Sequence, residues 1–499
     1  MNYIKKNNFV LYFFFIFPFL FVTGPFLPDL FICFVSIFFL ILFSKNIKKF
    51  FYKSYYLYFL FLFYFYINFT SLIGYNSNYS LQSSIPYIRF ILFSFIFSYL
   101  LIKINSLRRV IVFSFLITYV LLLVDSFIQL TIGKNIIGYS LAGNRISSLF
   151  GDWLVMGSFV ARTLPIVLGI TFLEEIKYKN ILQICILIVS GILIIMSAER
   201  LAFIYFIITL CTFIFFKINK KNIFAIILLI ILIFSSIFYL RPAAYDRLFV
   251  HTFNQLKSVD YAIFFSYRHQ LHYITALNQF KDSKIFGHGL KSFRLICDNP
   301  KYAPIDRIIN DNQISSPTNG YSFFILNHEY DSSTGKSNDV KYLIIKNKKV
   351  QPTSVDDNDI TYKLRIHGEL IKIYVNSGEF VKKNRPLVSM YEFANGCNTH
   401  PHNVHLQFLA ETGLIGYFFL IIAFFFIIYQ LFLIIKKKFL FISISKKEYC
   451  IFYCLLGLFL SLFPLFPSGN FFNNWLSTIF YFNVANLISV LPLKKKDEC

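Results

Sequence analysis

The chain has 499 residues, of which 57% are hydrophobic and 20% aromatic, and its mean hydropathy is +0.61. A soluble protein of this length needs a smaller apolar fraction for its core, so the composition indicates a polytopic membrane protein. The formal net charge of +23 comes from short basic clusters between apolar runs and not from one continuous patch. Such clusters are typical of cytoplasmic loops, so we expect membrane lipid and no nucleic acid as a partner.

About twelve apolar runs come close to the roughly 20 residues that a membrane-spanning helix needs. They are residues 9–24, 27–44, 55–74, 85–104, 110–131, 152–173, 181–197, 200–216, 223–240, 412–435, 449–466 and 474–492. Because basic clusters favour the cytoplasmic side, this arrangement places both termini in the cytoplasm. Residues 75–84, 132–151 and 241–405 then face outward.

The predicted fold class is an all-α polytopic transmembrane protein of about 12 spans with one large outward loop domain. Residues 1–240 form a transmembrane region of about nine spans, and residues 406–499 form a second region of about three spans and a cytoplasmic tail. The loop domain, residues 241–405, is too long for a plain connection and is expected to contain helices and a β-rich insert at about 321–392.

The insert includes the alternating segment 362–391, which resembles half of a biotinyl- or lipoyl-type hammerhead domain. The tight turn that presents a modifiable lysine in those carrier domains is absent from this segment. We therefore expect a small β structure that serves packing or contact with a partner.

The cysteines divide by predicted compartment. Only Cys297 and Cys397 lie in the outward loop, whereas the other six lie in spans or in the tail. Two thiols alone in an oxidising compartment are a reasonable disulfide pair. The bond would close a loop of about 100 residues. Two free thiols remain the alternative.

Residues 399–416 read THPHNVHLQFLAETGLIG and contain His400, His402 and His405 within six positions. Three interpretations apply: a metal site with Glu411 as a further ligand, a solvated turn, or a catalytic site with imidazole as the base. No cysteine or aspartate completes an obvious ligand set, and two of the histidines flank a proline in an extended turn. Catalysis is the preferred interpretation.

Arginines are the second chemical signal. Arg200 lies in SAERLAF at the outward end of a predicted hairpin, and is either a snorkelling turn residue or an anion clamp. Arg268 lies on a segment with helical periodicity, SYRHQLHYITALNQF. Arg145 and Arg162 lie near the two ends of the segment GNRISSLFGDWLVMGSFVARTLP. Arg162 falls within a predicted span, where a charge is costly and usually marks a function or an ion pair.

Outward arginines together with a histidine suit one reaction class, glycosyl transfer from a polyprenyl-diphosphate donor. Guanidinium groups neutralise the leaving diphosphate, and an imidazole takes the proton of the acceptor hydroxyl. The chain has no phosphate-binding loop of the GxxxxGK[ST] type. The pair Asp357 and Asp359 lies in the outward insert, where nucleotide sugars are not supplied, and is interpreted as a solvated turn.

The segment HPHNVHLQFLAETGLIG resembles the signature of the O-antigen ligase superfamily, which also contains the O-antigen polymerases. The segments GNRISSLFGDWLVMGSF, SAERLAF and GHGLKSFRLIC agree with it, and the similarity covers roughly residues 130–430. The resemblance implies a metal-independent glycosyltransferase that needs no cofactor. Its donor is a glycan linked to undecaprenyl diphosphate, used at the periplasmic face of the bacterial inner membrane, and its acceptor is a sugar hydroxyl.

The resemblance also implies residue roles. The histidine before the asparagine, His402, is the expected base, and His400 is the second choice. Arg200 and Arg268 correspond to the arginines that bind the diphosphate. Arg145 matches a recurrent upstream arginine whose role is less defined.

Three further residues are expected to support the site. Asn403 and Gln407 would orient the histidine or the sugar, and Glu411 would form hydrogen bonds within the site. Residues 321–392 have no counterpart in the usual ligase loop, so the acceptor stays open at this point. Ligation of O-antigen to lipid A-core in lipopolysaccharide biosynthesis is preferred to polymerisation of lipid-linked repeats, because GHGLKSFRLIC followed by CNTHPHN is more ligase-like.

The alternative from another class is a polysaccharide transporter or export scaffold without transfer chemistry. Such a protein would place polar residues along a path through the middle of the membrane. Here the polar residues concentrate at the outward rim, which favours chemistry at the membrane surface.

Overall fold

The computed structural model describes residues 3–42, 55–104, 106–141, 145–217, 234–253, 267–302, 305–331, 336–352, 359–365 and 369–491. The chain divides into two compact units. Met1–Cys297 and Cys397–Cys499 form the first, and Asp298–Gly396 forms the second. The first unit is helical and the second consists of β-strands.

The helices of the first unit follow the apolar runs of the sequence. In chain order they are α1 Tyr3–Phe15, α2 Phe17–Leu20, α3 Phe26–Leu42, α4 Tyr55–Ile73, α5 Ser77–Ser84, α6 Ile88–Lys103, α7 Leu107–Ile132, α8 Met156–Leu173, α9 Lys179–Ser197, α10 Arg200–Lys217, α11 Pro242–Tyr245, α12 Tyr267–Asp282, α13 Phe293–Ile296, α14 Val404–Phe439, α15 Lys446–Leu462 and α16 Asn474–Val490. Residues 234–240 are also helical, and Asp246–Val250 forms a π-helical turn.

Within the described residues, seven helical segments are long and apolar enough to cross a membrane, and two shorter apolar helices accompany them. Helices suit this environment because they satisfy every backbone hydrogen bond internally. The chain is a mostly helical, multi-pass membrane protein. The exact number of 12 spans stays a prediction, and most of the predicted span 223–240 lies outside the described residues. The predicted outward loop 75–84 contains a helix, α5, capped by Asn76.

The second unit contains two antiparallel sheets. Its strands are β1 Ile305–Ser315, β2 Gly320–Asp331, β3 Lys336–Lys346, β4 Ile360–Arg365, β5 Glu369–Ile373, β6 Glu379–Val381 and β7 Pro386–Asn395. One sheet has the order β1-β7-β5 and the other β4-β3-β2-β6. Leu343, Ile345, Val381 and Leu387 are buried together between the strands. The strands extend beyond the predicted insert, 321–392, at both ends.

Helix α14 is 36 residues long and is broken at Gly413, whose φ of 65° and ψ of −167° are not helical. A Cβ atom at this position would overlap the carbonyl oxygen of Ile285. The backbone conformation and the close approach both require glycine here. The break separates a short first segment, which carries the signature residues, from the long apolar part of the helix.

The loop before α13 is hydrogen-bonded to this break. The N–H groups of His288 and Gly289 donate to the carbonyls of Ala410 (3.1 Å) and Glu411 (2.9 Å). On the other side of the break, Leu414 N–H donates to the carbonyl of Lys284 at 2.8 Å. The sequence segments GHG and ETG, more than a hundred positions apart, thus form one backbone joint.

Candidate active site

The histidine turn is held at the start of α14. Asn403 is the N-cap of the helix: its Oδ1 accepts from the N–H of Leu406 at 3.1 Å, and its Nδ2 donates to the carbonyl of Pro464 at 2.6 Å. His402 has a φ of 54°, in the left-handed region that few non-glycine residues adopt. Its carbonyl accepts from the N–H of Ser468 at 2.8 Å. Through Pro464 and Ser468, the segment that follows α15 therefore holds the histidine turn in its conformation.

Three other imidazoles surround that of His402. The centre of its ring lies 4.1 Å from that of His400, 5.1 Å from that of His269 and 5.4 Å from that of His272. His269 and His272 lie on α12, three positions apart, so both rings project from one side of that helix. We call these four residues the histidine cluster. His269 and His272 lie in the segment SYRHQLHYITALNQF, but the sequence pattern did not identify them as site residues.

Burial favours the neutral form of three members of the histidine cluster, His400, His402 and His269. It lowers the pKa of His400 to about 4, an effect opposed in part by the hydrogen bond from its ring to the carbonyl of Ser468. Burial lowers the pKa of His402 further, and the neighbouring imidazoles add to the shift. The pKa of His269 is also lowered, first by burial and then by His272. At neutral pH, these three imidazoles can accept a proton.

Gln407 and Glu411 lie one turn apart on the first segment of α14, and both are buried. The Nε2 of Gln407 donates to Glu411 Oε2 at 3.1 Å and to Asn470 Oδ1 at 2.8 Å, while its Oε1 accepts from the N–H of Phe471 at 2.9 Å. Lys291 and Arg294 supply the positive charge near the Glu411 carboxyl. These contacts position α14 against the segment after α15.

The contacts of His405 are typical of a residue that stabilises the fold. Its side chain is buried, with Nε2 2.7 Å from the carbonyl of Leu462 and Nδ1 3.3 Å from the hydroxyl of Tyr417. Both ring nitrogens of His405 are thus occupied by contacts inside the helix bundle. Among the described residues, no group of three or more His, Cys, Asp or Glu side chains is arranged to hold a metal ion.

A second group of charges surrounds the turn between α9 and α10. Glu199 accepts from the N–H of Gly157 (2.8 Å) and from both the N–H (3.1 Å) and the hydroxyl (2.6 Å) of Ser158, at the start of α8. Arg145 lies 3.8 Å from the Glu199 carboxylate and donates to the carbonyl of Leu154 at 3.0 Å. Burial raises the pKa of the Glu199 carboxyl, and Arg145 acts against that rise.

Two further arginines meet at the same turn. Arg200 Nε donates to the carbonyl of Arg247 at 3.1 Å, and Arg247 Nε donates to the carbonyl of Ala198 at 3.2 Å. We call Arg145, Arg200 and Arg247 the arginine cluster. Arg247 was not foreseen, because it lies in a π-helical turn 47 positions after Arg200 and only the fold brings it there.

Arg268 is the second residue of α12 and so lies one position before His269. Its backbone belongs to the described helix, but its side chain lies outside the described part of the structure. The expectation that it binds a diphosphate stays a prediction.

A disulfide joins Cys297 to Cys397, with their Cα atoms 4.8 Å apart and 100 positions between them. Cys297 packs with Ala276, Phe293 and Ala410 in a small buried cluster. The bond therefore connects the end of α13 to the strand of chain that enters the histidine turn, next to the helix α12 that carries His269 and His272.

Residues 185–325 match the family model of the O-antigen ligases. The matched region covers the arginine cluster residues Arg200 and Arg247 and the whole of α12. The match agrees with the similarity to the O-antigen ligase superfamily and supports glycosyl transfer of the ligase or polymerase type. No match was found among curated proteins or among solved structures.

Proposed function

From this similarity to the O-antigen ligase superfamily, we propose that the chain is an inverting glycosyltransferase of the bacterial inner membrane. It transfers a glycan from undecaprenyl diphosphate to a sugar hydroxyl at the periplasmic face, without a metal ion or other cofactor. The observation that carries the proposal is the position of His402, a neutral imidazole in a strained, well-anchored turn beside the start of α14.

The reaction is a single displacement at the anomeric carbon. The acceptor oxygen attacks from the face opposite the diphosphate, and its proton passes to an imidazole nitrogen of His402. A new C–O bond forms while the old anomeric C–O bond breaks, and its electron pair leaves with undecaprenyl diphosphate. Single displacement inverts the configuration, and no covalent enzyme intermediate is needed.

The low pKa of His402 has a defined consequence for this step. An imidazole of low pKa is available as a base at neutral pH but has little driving force to hold a proton. A bound diphosphate would bring negative charge close to the histidine cluster and raise that pKa towards neutrality. His400 is the reserve base in this scheme, although its Nε2 already contacts the carbonyl of Ser468 at 3.2 Å.

The leaving diphosphate requires positive charge that persists at every working pH. Arg200 and Arg268 are the proposed phosphate ligands, and Arg145 is a third candidate. Planar guanidinium groups pair with phosphate oxygens in a bidentate manner that ammonium groups do not reproduce. Arg145 also has a carboxylate partner, Glu199, so its proposed part is to keep the turn of the arginine cluster rigid and positively charged.

The supporting residues have distinct proposed parts. Asn403 sets the direction of the turn that carries His402, since it caps the next helix. Gln407 and Glu411 hold the first segment of α14 against Asn470 and Phe471. Their effect on catalysis is therefore through the placement of His402.

The proposed reaction is ligation of O-antigen to lipid A-core in lipopolysaccharide biosynthesis, with polymerisation of lipid-linked repeats as the alternative. A deletion strain distinguishes them by its glycans. Accumulation of free lipid-linked polymer is expected for a ligase, whereas accumulation of single repeats would establish a polymerase. An unchanged glycan profile would contradict both.

The test of the base is His402→Ala, introduced into the complete chain and assayed for glycan transfer in cells and in detergent with EDTA. We expect transfer to fall by about 100-fold or more, since a positioned base contributes roughly 10²–10⁴ to the rate. His251→Ala is the matched control, because its side chain is exposed and lies outside both clusters. Retained transfer by His402→Ala would refute the assignment, and loss of transfer in EDTA would refute metal independence. A wild-type protein that transfers nothing would favour the transporter or scaffold alternative.

A further inference from the structure

Arg162 is the single charged residue of α8, a mostly apolar helix most of whose residues are buried. It is the seventh residue of α8, about 9 Å along the axis from the start of the helix. Among the described residues, no carboxylate forms an ion pair with it. A guanidinium without a counter-ion in a membrane-spanning helix is costly and generally has a function.

The guanidinium is held in a fixed orientation. Its Nη1 donates to the hydroxyl of Ser461 on α15 at 3.3 Å, and its Cζ lies 5.4 Å from the centre of the Tyr205 ring on α10. Its Nε is buried and has no hydrogen-bond partner within the described chain. The side chain is therefore positioned by its hydrogen bond to Ser461 and by its contact with Tyr205, and its Nε retains capacity to donate.

A small, partly open cavity lies next to this guanidinium. Arg162, Ser461 and Ser468 form its polar part, and Leu476, Ile479 and Phe480 of α16 contribute to its apolar wall. Val404, the first residue of α14, also faces it. The cavity thus combines one positive charge with an apolar surface, which is the chemistry needed by a phosphate attached to a hydrocarbon chain.

The cavity is connected to the histidine cluster through shared residues. The N–H of Ser468 donates to the carbonyl of His402, and the carbonyl of Ser468 contacts the ring of His400. Ser468 therefore contributes to the wall of the cavity and to the anchoring of the proposed base. Val404 is two positions from His402.

The cavity is also connected to the arginine cluster. Tyr205, whose ring lies under Arg162, is five positions after Arg200 on α10. The first turn of α8, which leads to Arg162, donates two backbone N–H groups to Glu199 beside Arg145. Arg162 thus lies on the elements that join the two clusters.

We propose that this cavity receives the phosphate-proximal end of the prenyl-linked donor, with Arg162 as an additional phosphate ligand and the α16 side chains in contact with the first isoprene units. This inference rests on the proposed function and deepens it. Arg162 supplies charge to the diphosphate as the anomeric C–O bond breaks, and the bound phosphate supplies the counter-ion that the guanidinium lacks in the described chain.

The expected effect of Arg162→Gln is a loss of prenyl-diphosphate affinity. A hydrogen bond to a charged group contributes enough that its removal weakens binding by about 10- to 100-fold. The same substitution is expected to lower kcat/KM for the donor and to leave KM for the acceptor unchanged. Arg162→Lys should restore part of the affinity, because the charge remains while the planar fork is lost.

The experiment measures binding of undecaprenyl diphosphate to the purified full chain, with farnesyl diphosphate and inorganic diphosphate as competitors. The variants are Arg162→Gln, Arg162→Lys and Ser461→Leu, the last of which fills the cavity without changing a charge. Arg109→Gln is the matched control, because Arg109 pairs with Glu174 outside the two clusters. Thermal unfolding establishes that each variant is folded.

Weakened binding in Arg162→Gln and Ser461→Leu, with Arg109→Gln unchanged, supports the proposal. If farnesyl diphosphate competes at a lower concentration than inorganic diphosphate, this supports contact between the apolar wall and the isoprene units. Equal competition by the two compounds would overturn that contact. If wild type and Arg162→Gln bind undecaprenyl diphosphate equally, the inference is wrong while the proposed function stands. If wild type neither binds it nor transfers glycan, the proposed function itself fails. Should Arg162→Gln not fold, unaltered binding by Ser461→Leu overturns the proposal.

Discussion

Removal of the Asn403 side chain tests how the start of α14 controls the histidine turn. The residue makes two separate contacts, the helix cap to Leu406 N–H and the hydrogen bond to the Pro464 carbonyl. Asn403→Ala loses both contacts. Asn403→Ser keeps a capping oxygen and loses only the contact to Pro464.

The expected decrease in kcat/KM follows from the free energy of these two contacts. Loss of an N-cap costs about 1 kcal/mol, and loss of a hydrogen bond from a partly buried acceptor costs about 1 kcal/mol more. Because His402 is the residue directly before Asn403, we expect most of this energy to be lost from the placement of the proposed base. About 2 kcal/mol corresponds to a roughly 30-fold decrease in kcat/KM for Asn403→Ala, and about 1 kcal/mol to a roughly 5-fold decrease for Asn403→Ser.

The assay is glycan transfer by purified variants in detergent, together with thermal unfolding of each one. Ser445→Ala is the matched control: it removes an N-cap of similar strength, with its capping box, from the start of α15, the end of that helix remote from Ser461. We expect it to lower stability by about 1 kcal/mol without lowering transfer by the folded protein. Equal loss of transfer in Asn403→Ala and Ser445→Ala, or in Asn403→Ala and Asn403→Ser, would refute the reasoning.

Three further predictions concern pH, the helix break and the disulfide. Because burial lowers the pKa of His400 to about 4 while an unfolded histidine has a pKa of about 6.5, thermal stability should be complete above pH 6.5 and fall as the pH is lowered towards 4. His400→Gln should reduce that dependence in thermal scans, and an unchanged pH profile would contradict it. Gly413→Ala should destabilise the protein by more than about 3 kcal/mol, whereas Gly24→Ala, with positive φ but open space, should cost about 1 kcal/mol; equal unfolding shifts would disprove the overlap. Cys397→Ser should lower stability by about 2–5 kcal/mol and impair transfer in the same preparation, and wild-type values for both would show that the bond is dispensable.

Much of the local structure around the site could be predicted from the sequence. The spans predicted at 181–197 and 200–216 correspond to helices Lys179–Ser197 and Arg200–Lys217, because apolar runs of this length have few other stable forms in a membrane. The start of a helix just after Asn403 also follows from the sequence, since asparagine is a strong N-cap before an apolar run.

The convergence of distant residues could not be predicted in the same way. His269 and His272 reach His402 because α12 packs against α14, and Arg247 reaches Ala198 through an irregular turn. Neither contact leaves a periodic signal in the sequence. Strand β1 was also missed, because its sequence IDRIINDNQIS is polar and lacks apolar alternation, and its pairing with β7 becomes apparent only in the fold.

The backbone joint between the GHG and ETG segments sets a rule for exchanging parts among related proteins. A chimera that took its outward loop from another protein and ended the exchange at residue 403 would bring in one partner of the joint without the other. The foreign loop would then meet the native Glu411 and Gly413 across an interface selected for different neighbours. An exchange extended through Gly416 would transfer both partners together and so keep the joint intact.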